Sequence, residues 1–158
     1  MWRVTGESIT PAGLEALKAE LHGLETAGRQ EMSRRIEAAR SLGDLKENAE
    51  YHIAKEDQAH LETKILRLRE RLRSAVVVEP DTSSKGFAFG TTAEVRDLAT
   101  DTVHKWTIVG PTEAAISQGK LSSESPVAAA LLGRAEGDEV AVETPGGTRR
   151  YRIEKLAA

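Results

Sequence analysis

The sequence predicts an α+β protein made of an N-terminal antiparallel coiled-coil hairpin, residues 1–75, and a globular α+β domain with an antiparallel sheet, residues 76–158. Three observations carry this. Apolar residues recur in steps of three and four from Leu14 to Leu72, the spacing of a stripe along one helical face. Gly43 breaks the pattern midway, and only a few residues pass before it resumes. After Ala75 the period falls to two, and short β-branched runs alternate with Gly- and Pro-rich turns.

The first helix opens at Thr10-Pro11. The threonine hydroxyl can accept a bond from an orphan backbone N–H, and proline fits the first helical position. Leu14, Leu17, Leu21 and Leu24 then form a seam of the coiled-coil kind. It weakens at Gly28, which costs about 1 kcal/mol in a helix interior, and resumes through Met32, Ile36 and Ala39. We expect local flexibility at Gly28 rather than a break. Gly43 stands where a left-handed C-cap would end this helix. A second helix is expected from about Asn48 to Ser74, its seam reading Ala54, Gln58, Leu61, Ile65, Leu68 and Leu72. Neither stripe can be buried alone, so two helices joined by a short turn fold back on each other. Roughly thirty residues per arm at 1.5 Å rise gives a rod about 45 Å long, with residues 43–48 as its tip.

Beyond the hairpin, "AVVVE" reads as a short strand and "PDTSSKGFAFG" as a connection. Four alternating runs, "TTAEVRDL", "VHKWTIVG", "DEVAVET" and "TRRYRIEKL", read as strands, with "TPGGT" as the hairpin turn between the last two. "SPVAAALLG" reads as a short helix with Ser125 as N-cap, Pro126 at the first position and Gly133 just past its end.

Composition narrows the function. With 39% apolar and 30% charged residues the 158-residue chain is globular, and with 4% aromatics its core must be mostly aliphatic. Cysteine is absent, which removes disulfides, thiol catalysis and zinc-thiolate sites. No apolar run approaches ~18 residues, and "MWRVTGESITPAG" lacks the regions of a secretory signal; a cytoplasmic protein without membrane contact is expected. The net charge of −3 argues against a protein that coats duplex nucleic acid. Residues 1–75 balance 13 Lys and Arg against 13 Asp and Glu, as a solvated helical rod would.

The tip is where chemistry concentrates. In "SLGDLKENAEYH", residues 41–52, Asp44, Glu47 and Glu50 are offset by Lys46 alone. Two readings stand side by side. Asp44-Leu-Lys-Glu47 has the form of a capping box, Asp44 capping the second helix and Glu47 reaching back to its N–H. Alternatively, carboxylates three apart on a helical turn have Cβ atoms about 5–6 Å apart, so both can approach one hard cation. Mg²⁺ takes about six oxygen ligands near 2.1 Å, and two carboxylates supply only part of that shell. Leu45 at a hinge, the surplus charge of Glu50 and the distance of the tip from the globular domain exceed what a cap requires. The residues suggest an arm that donates half a metal site to another molecule's chemistry.

"ARSLGDLKENAEYHIAKEDQ" resembles the tip motif of the bacterial transcript-cleavage factors, the Gre family, and its GreA branch in particular. The ordered series "SP…ALLG…GDEV…TPGG" within "SSESPVAAALLGRAEGDEVAVETPGG" matches the same family independently, and the likeness spans nearly the whole chain. The resemblance implies a coiled coil that enters the secondary channel of bacterial RNA polymerase and reaches the active centre of a backtracked complex. There Asp44 and Glu47 would help hold the second Mg²⁺ jointly with the polymerase and orient the attacking water. The polymerase would then hydrolyse its own transcript, the chain acting as a monomeric accessory and not as an enzyme. It further implies that Ser122, Ser125 and Pro126 grip the channel rim, and that the C-terminal domain is FKBP-like without isomerase activity. Tyr51 and His52 complete the tip motif, with Asn48 inside it; they position the tip or line the RNA path, or simply pack at the start of the second arm.

The basic run "RLRERLR" has a structural explanation in ion pairs from Arg67, Arg69, Arg71 and Arg73 to Glu15, Glu20 and Glu25 of the first arm, exposed pairs of about 0–1 kcal/mol each. Arg34, Arg35, Arg40, Lys46 and Lys55 lie nearer the tip and are better placed for the extruded RNA 3′ segment, unless they are ordinary solvated positions. His22, His60 and His104 have no partners at ligand spacing, and Trp106 is expected in the core of the sheet. No nucleophile triad, P-loop or dinucleotide fingerprint is present. A non-cleaving regulator that occludes the same channel is the competing function. A stand-alone chaperone or prolyl isomerase is a third, disfavoured by the few aromatics of the second half: Phe87, Phe89, Trp106 and Tyr151.

Overall fold

A computed structural model of the chain describes residues 6–41, 43, 45–80 and 85–157, with the backbone alone at 45–48. The fold is α+β and falls into two compact units, one of Leu14–Ser74 and one that joins the residues up to Gly13 with those from Ala75 onward.

The first unit is helical. Helix α1 (Pro11–Gly23) runs through a π turn (Leu24–Gly28) into α2 (Arg29–Arg40), and α3 (Leu45–Ser74) returns. Leu17, Leu21, Ile36 and Ala39 of the first arm are buried, as are Ala54, Ile65 and Leu68 of α3. Leu14, Leu24, Met32, Gln58, Leu61 and Leu72 are half-buried beside them, so none of these seam residues is fully exposed. Cross-arm contacts run in opposite order along the two arms: Glu25 with Arg69, Arg29 with Glu62, Arg35 with Asp57 and Arg40 with Tyr51. The hairpin is therefore antiparallel.

Gly28 does not break the arm. The Arg29 N–H donates to the Leu24 carbonyl, five residues back, the spacing of a π turn. Such a turn holds one residue more than an α turn, which explains the seam. Steps of four and three from Leu24 reach Gly28, which is half-buried, and would then reach Glu31, Arg35 and Ala38, whereas the seam beyond Gly28 is Met32, Ile36 and Ala39, each one residue later. The Thr26 hydroxyl donates to the His22 carbonyl at 2.7 Å, supplying a partner where backbone pairing changes register.

In the second unit, β1 (Ser8–Ile9) pairs in parallel with β2 (Val76–Val77). The N-cap expected at Thr10 is present: its Oγ1 accepts from the Gly13 N–H at 3.0 Å. Glu113 reinforces it, accepting from the Thr10 N–H at 2.9 Å, from the Thr10 hydroxyl and from the Gly110 N–H at 3.0 Å. A Cβ on Gly13 would fall 1.9 Å from Glu113 Oε1, so this approach needs glycine there.

A five-stranded sheet follows, of β3 (Thr92–Asp97), β4 (Thr102–Val109), β5 (Lys120–Ser122), β6 (Glu139–Thr144) and β7 (Gly147–Leu156), in the order β5-β4-β3-β7-β6. It is mixed rather than antiparallel: β5 runs parallel to β4, Thr107 opposite Lys120. Residues 110–119, with a 3₁₀ turn at Ile116–Gln118, carry the chain back before β5 begins, and a three-residue strand is too short to announce itself by alternation. The core holds Phe87, Val95, Ile108, Leu131 and Ile153, with Trp106 and Tyr151 edge-on, ring centroids 5.6 Å apart. Trp106 is thus in the core as expected, and His104 stacks on it at 4.8 Å. Helix α4 (Pro126–Leu131) covers the sheet with Ala128 and Leu131.

Asp97 is a buried acid in this unit, fully engaged: it accepts from the Ala99 and Thr100 amides and from Arg149 Nη1 at 3.0 Å. Burial pushes its carboxyl up, but the two amides and the Arg149 guanidinium outweigh this and leave it below the ordinary carboxylate value. Among the described residues no helix is long and apolar enough to cross a membrane.

Two outcomes follow from this packing. Ile65→Ala, at a site only 1% exposed, should cost about 2–5 kcal/mol in urea unfolding of the hairpin. A depressed folded pKa adds stability that is complete above the unfolded value and lost as pH falls through the folded one. The sheet unit should therefore weaken in acid below about pH 4, and Asp97→Asn should flatten that limb of the stability curve in pH-dependent thermal melts.

Candidate functional site at the hairpin turn

Helix α2 closes on Ser41, whose N–H donates to the Glu37 carbonyl at 3.1 Å and whose hydroxyl donates to that of Ala38 at 2.7 Å. Gly43 follows with φ +95°, a left-handed conformation that suits glycine at a helix end. Helix α3 starts at Leu45 rather than near Asn48: no Gly, Pro or β-branched residue stands between Gly43 and Tyr51 to halt it. Asp44, and the side chains of Lys46, Glu47 and Asn48, lie outside the described residues, and with them both the capping box and the proposed metal pair. Among the described residues no cluster of three or more His, Cys, Asp or Glu could hold a metal ion.

Around the turn, the expected cations divide. Arg34 pairs with Glu31 at 3.3 Å and Arg35 with Asp57 at 2.8 Å, so their charges are largely offset within the hairpin. Arg40 and Lys55 have no carboxylate partner among the described residues. Lys55 Nζ donates to Gln58 Oε1 at 2.9 Å. Arg40 Nη2 donates to the Tyr51 hydroxyl at 3.4 Å, with its Cζ 5.5 Å from the Tyr51 ring centroid, within cation–π range. The Arg40 hydrogen bond, followed by the charges of Arg40 and Lys55, holds the Tyr51 phenol below its usual value despite desolvation. The same bond raises Arg40. His52 stands exposed with its ring edge-on to Tyr51 at 5.7 Å. Next to this group, Arg35, Ala38, Ala39, Glu50, Ile53 and Ala54 line a shallow cleft between the arms, and Ile53 is 55% exposed.

Further along the hairpin, the basic run is only partly paired across the arms. Arg69 meets Glu25 at 2.5 Å, Glu20 goes to Lys64 instead, and Arg73 turns to Glu70 on its own helix. Arg67 and Arg71 have no ion pair among the described residues.

The other expected contact segment lies in the sheet unit. Ser122, Ser125 and Pro126 are brought together by a turn in which the Ser125 hydroxyl donates to the Ser122 carbonyl at 2.7 Å. Ser122 Oγ accepts from the Glu124 N–H at 3.2 Å, and Ser125 Oγ accepts from the Ala128 N–H at 3.2 Å. The helix cap is therefore real, with Pro126 first in α4 and exposed, and Gly133 at φ +80° just beyond its end. Sequence reasoning missed Glu113, which lies 103 positions from the Thr10 it binds.

With this geometry in view, comparison with known proteins is specific. A family model described as "Transcription elongation factor, N-terminal" matches residues 7–77, and one described as "Transcription elongation factor, GreA/GreB, C-term" matches residues 82–158. A protein of Nautilia profundicola named transcription elongation factor GreA is 48% identical over 151 residues, covering 95% of this chain and 93% of its own. Proteins of the same name from Jannaschia and from Methylococcus capsulatus are each 43% identical, covering 94% and 92% of this chain and 96% and 93% of their own.

Ser125→Ala removes the α4 cap and should lower the stability of the sheet unit by about 1 kcal/mol, read as a shift in its denaturation midpoint; Ser125→Asp, which can also accept from the Ala128 N–H, should recover most of it.

Proposed function

Because the chain belongs to the GreA/GreB family of transcription elongation factors, with RNA polymerase as its partner, we propose that its hairpin enters the polymerase secondary channel and stimulates cleavage of backtracked RNA. The observation that supports this reading most directly is the hairpin turn. Two arms, paired as far as Arg40 and Tyr51, are joined at a left-handed glycine, and the sequence places Asp44 next to that glycine and Glu47 in the first turn of α3.

Mg²⁺ suits such a pair by the chemistry of its donors, hard carboxylate oxygens, yet two carboxylates fall short of its roughly six ligands. The ion would therefore be held jointly with the polymerase, and when bound it would supply the charge that stabilises the attacking and leaving oxygens in two-metal phosphodiester hydrolysis. Asp44 and Glu47 would hold it and orient the attacking water, while the remaining chemistry would belong to the polymerase. The chain is thus an accessory, working as a monomer in the cytoplasm. Arg40 and Lys55, whose charges no carboxylate offsets among the described residues, face the backtracked RNA 3′ segment together with Lys46, Asn48, Tyr51 and His52. Ser122, Ser125 and Pro126 contact the channel rim, where the exposed Pro126 ring offers a rigid apolar surface and the two hydroxyls hold the turn in shape.

A purified backtracked complex incubated with the protein and Mg²⁺ tests this. Asp44→Ala or Glu47→Ala should abolish shortened RNA products while polymerase binding persists. Cleavage unchanged by both substitutions would refute the roles given to these acids. Inhibited transcription without shortened RNA from the unaltered protein would establish an occluding regulator instead.

A further inference from the structure

We propose that Arg40 is a positioning residue for the acidic turn, acting through Tyr51 to clamp the two arms where residues 41–50 leave the hairpin. The proposal rests on the functional reading above and adds to it the device that holds the acids in place.

The pair occupies a distinctive position. Arg40 is the last residue of α2 and Tyr51 lies in the second turn of α3, so the contact closes the ten-residue segment that carries Asp44, Glu47 and Glu50. Among the described residues it is the cross-arm contact nearest the turn. Ala39 and Ala54 are buried beside it, and two such small side chains allow the helices to approach closely. Closing a segment at its base removes chain entropy from it, which favours a defined geometry for groups that must meet a metal ion.

The chemistry of the pair also differs from that of its neighbours. Arg35 and Arg29 meet carboxylates, Asp57 and Glu62, and those contacts offset the arginine charge. Arg40 meets a phenol. The contact anchors the guanidinium by one hydrogen bond and by the ring face, yet adds no negative charge to it, and among the described residues no carboxylate offsets it. Of five guanidinium N–H donors, one is used on Tyr51 among the described residues. A carboxylate at position 51 would hold the arms together equally well but would add a fourth negative charge to the segment. A phenol joins the arms without that repulsion, and the hydrogen bond from the arginine beside it holds its pKa below the usual value.

The test has two arms, both on the full-length protein. In the first, amide hydrogen exchange is followed across residues 41–50 of the free protein. Arg40→Gln and Tyr51→Phe should each accelerate it several-fold, exchange over residues 60–70 staying unchanged, and the double variant should be no faster than the singles, as expected of one coupled contact. Arg40→Lys, which keeps the charge but not the planar fork, should recover part of the protection. In the second, stimulated cleavage is measured against Mg²⁺ and against factor concentration. The single variants should need several-fold more Mg²⁺ for half-maximal cleavage even at saturating factor, where any loss of contact with the RNA no longer limits binding. Exchange unaltered at 41–50, or additive effects of the two substitutions, would overturn the clamp. So would a change confined to factor affinity, which would make the pair a polymerase contact only. If the unaltered protein stimulates no cleavage, the functional reading fails while the exchange experiment still decides the clamp.

Discussion

The hairpin exists because neither of its arms can bury its own apolar stripe. Fully burying a leucine or isoleucine side chain is worth about 1.5–3 kcal/mol, whereas an exposed ion pair contributes about 0–1 kcal/mol. The seam of Leu17, Leu21, Ile36 and Ala39 against Ala54, Ile65 and Leu68 therefore decides that the arms pair, and the charged rungs outside it refine the register. This division frees the surface. Polar positions can be spent on pairs such as Arg29–Glu62, or on cations such as Arg40 and Lys55 that meet no carboxylate among the described residues, without endangering the fold.

The sheet unit solves a different problem with a small aliphatic core. Helix α4 has six residues, too short to persist alone, and is held by a serine cap at one end and by the burial of Ala128 and Leu131 along its inner face. Glu113 works on a similar principle at the opening of α1: one carboxylate takes three donors from Thr10 and Gly110, and Gly13 and Gly110 keep the surrounding backbone close enough for this to happen.

What could be read from the sequence was whatever is encoded locally or periodically. The seam spacing, the Thr10 and Ser125 caps, the left-handed glycines at 43 and 133 and the Pro145-Gly146 hairpin each depend on residues within one or two turns of one another. What escaped depended on distance or on choice among equivalents. The parallel pairing of β5 follows from a ten-residue connection, not from the strand's own residues. Glu113 and Thr10 are far apart in sequence. Of the four arginines in the basic run, Arg69 alone bonds across to the first arm among the described residues, because long side chains on an exposed face have several acids within reach and periodicity does not choose between them. The acidic turn stood out in the sequence as clustered carboxylates offset by one lysine, while the placement of Asp44 and of the Lys46, Glu47 and Asn48 side chains lies outside the described residues.

The π turn at Leu24–Gly28 bears on how such an arm tolerates changes of length. One residue added to an ordinary α-helix rotates everything beyond it by about 100°, which would swing Ile36 and Ala39 out of the seam and turn the acids with them. A wider loop of backbone absorbs the supernumerary residue where it stands, so its effect does not propagate. The two arms can thus differ by a single position in their residue count and still face each other correctly at the far end. Indels in this family's first helix would be expected to survive where a glycine or threonine lets the backbone widen, and to be fatal where it cannot.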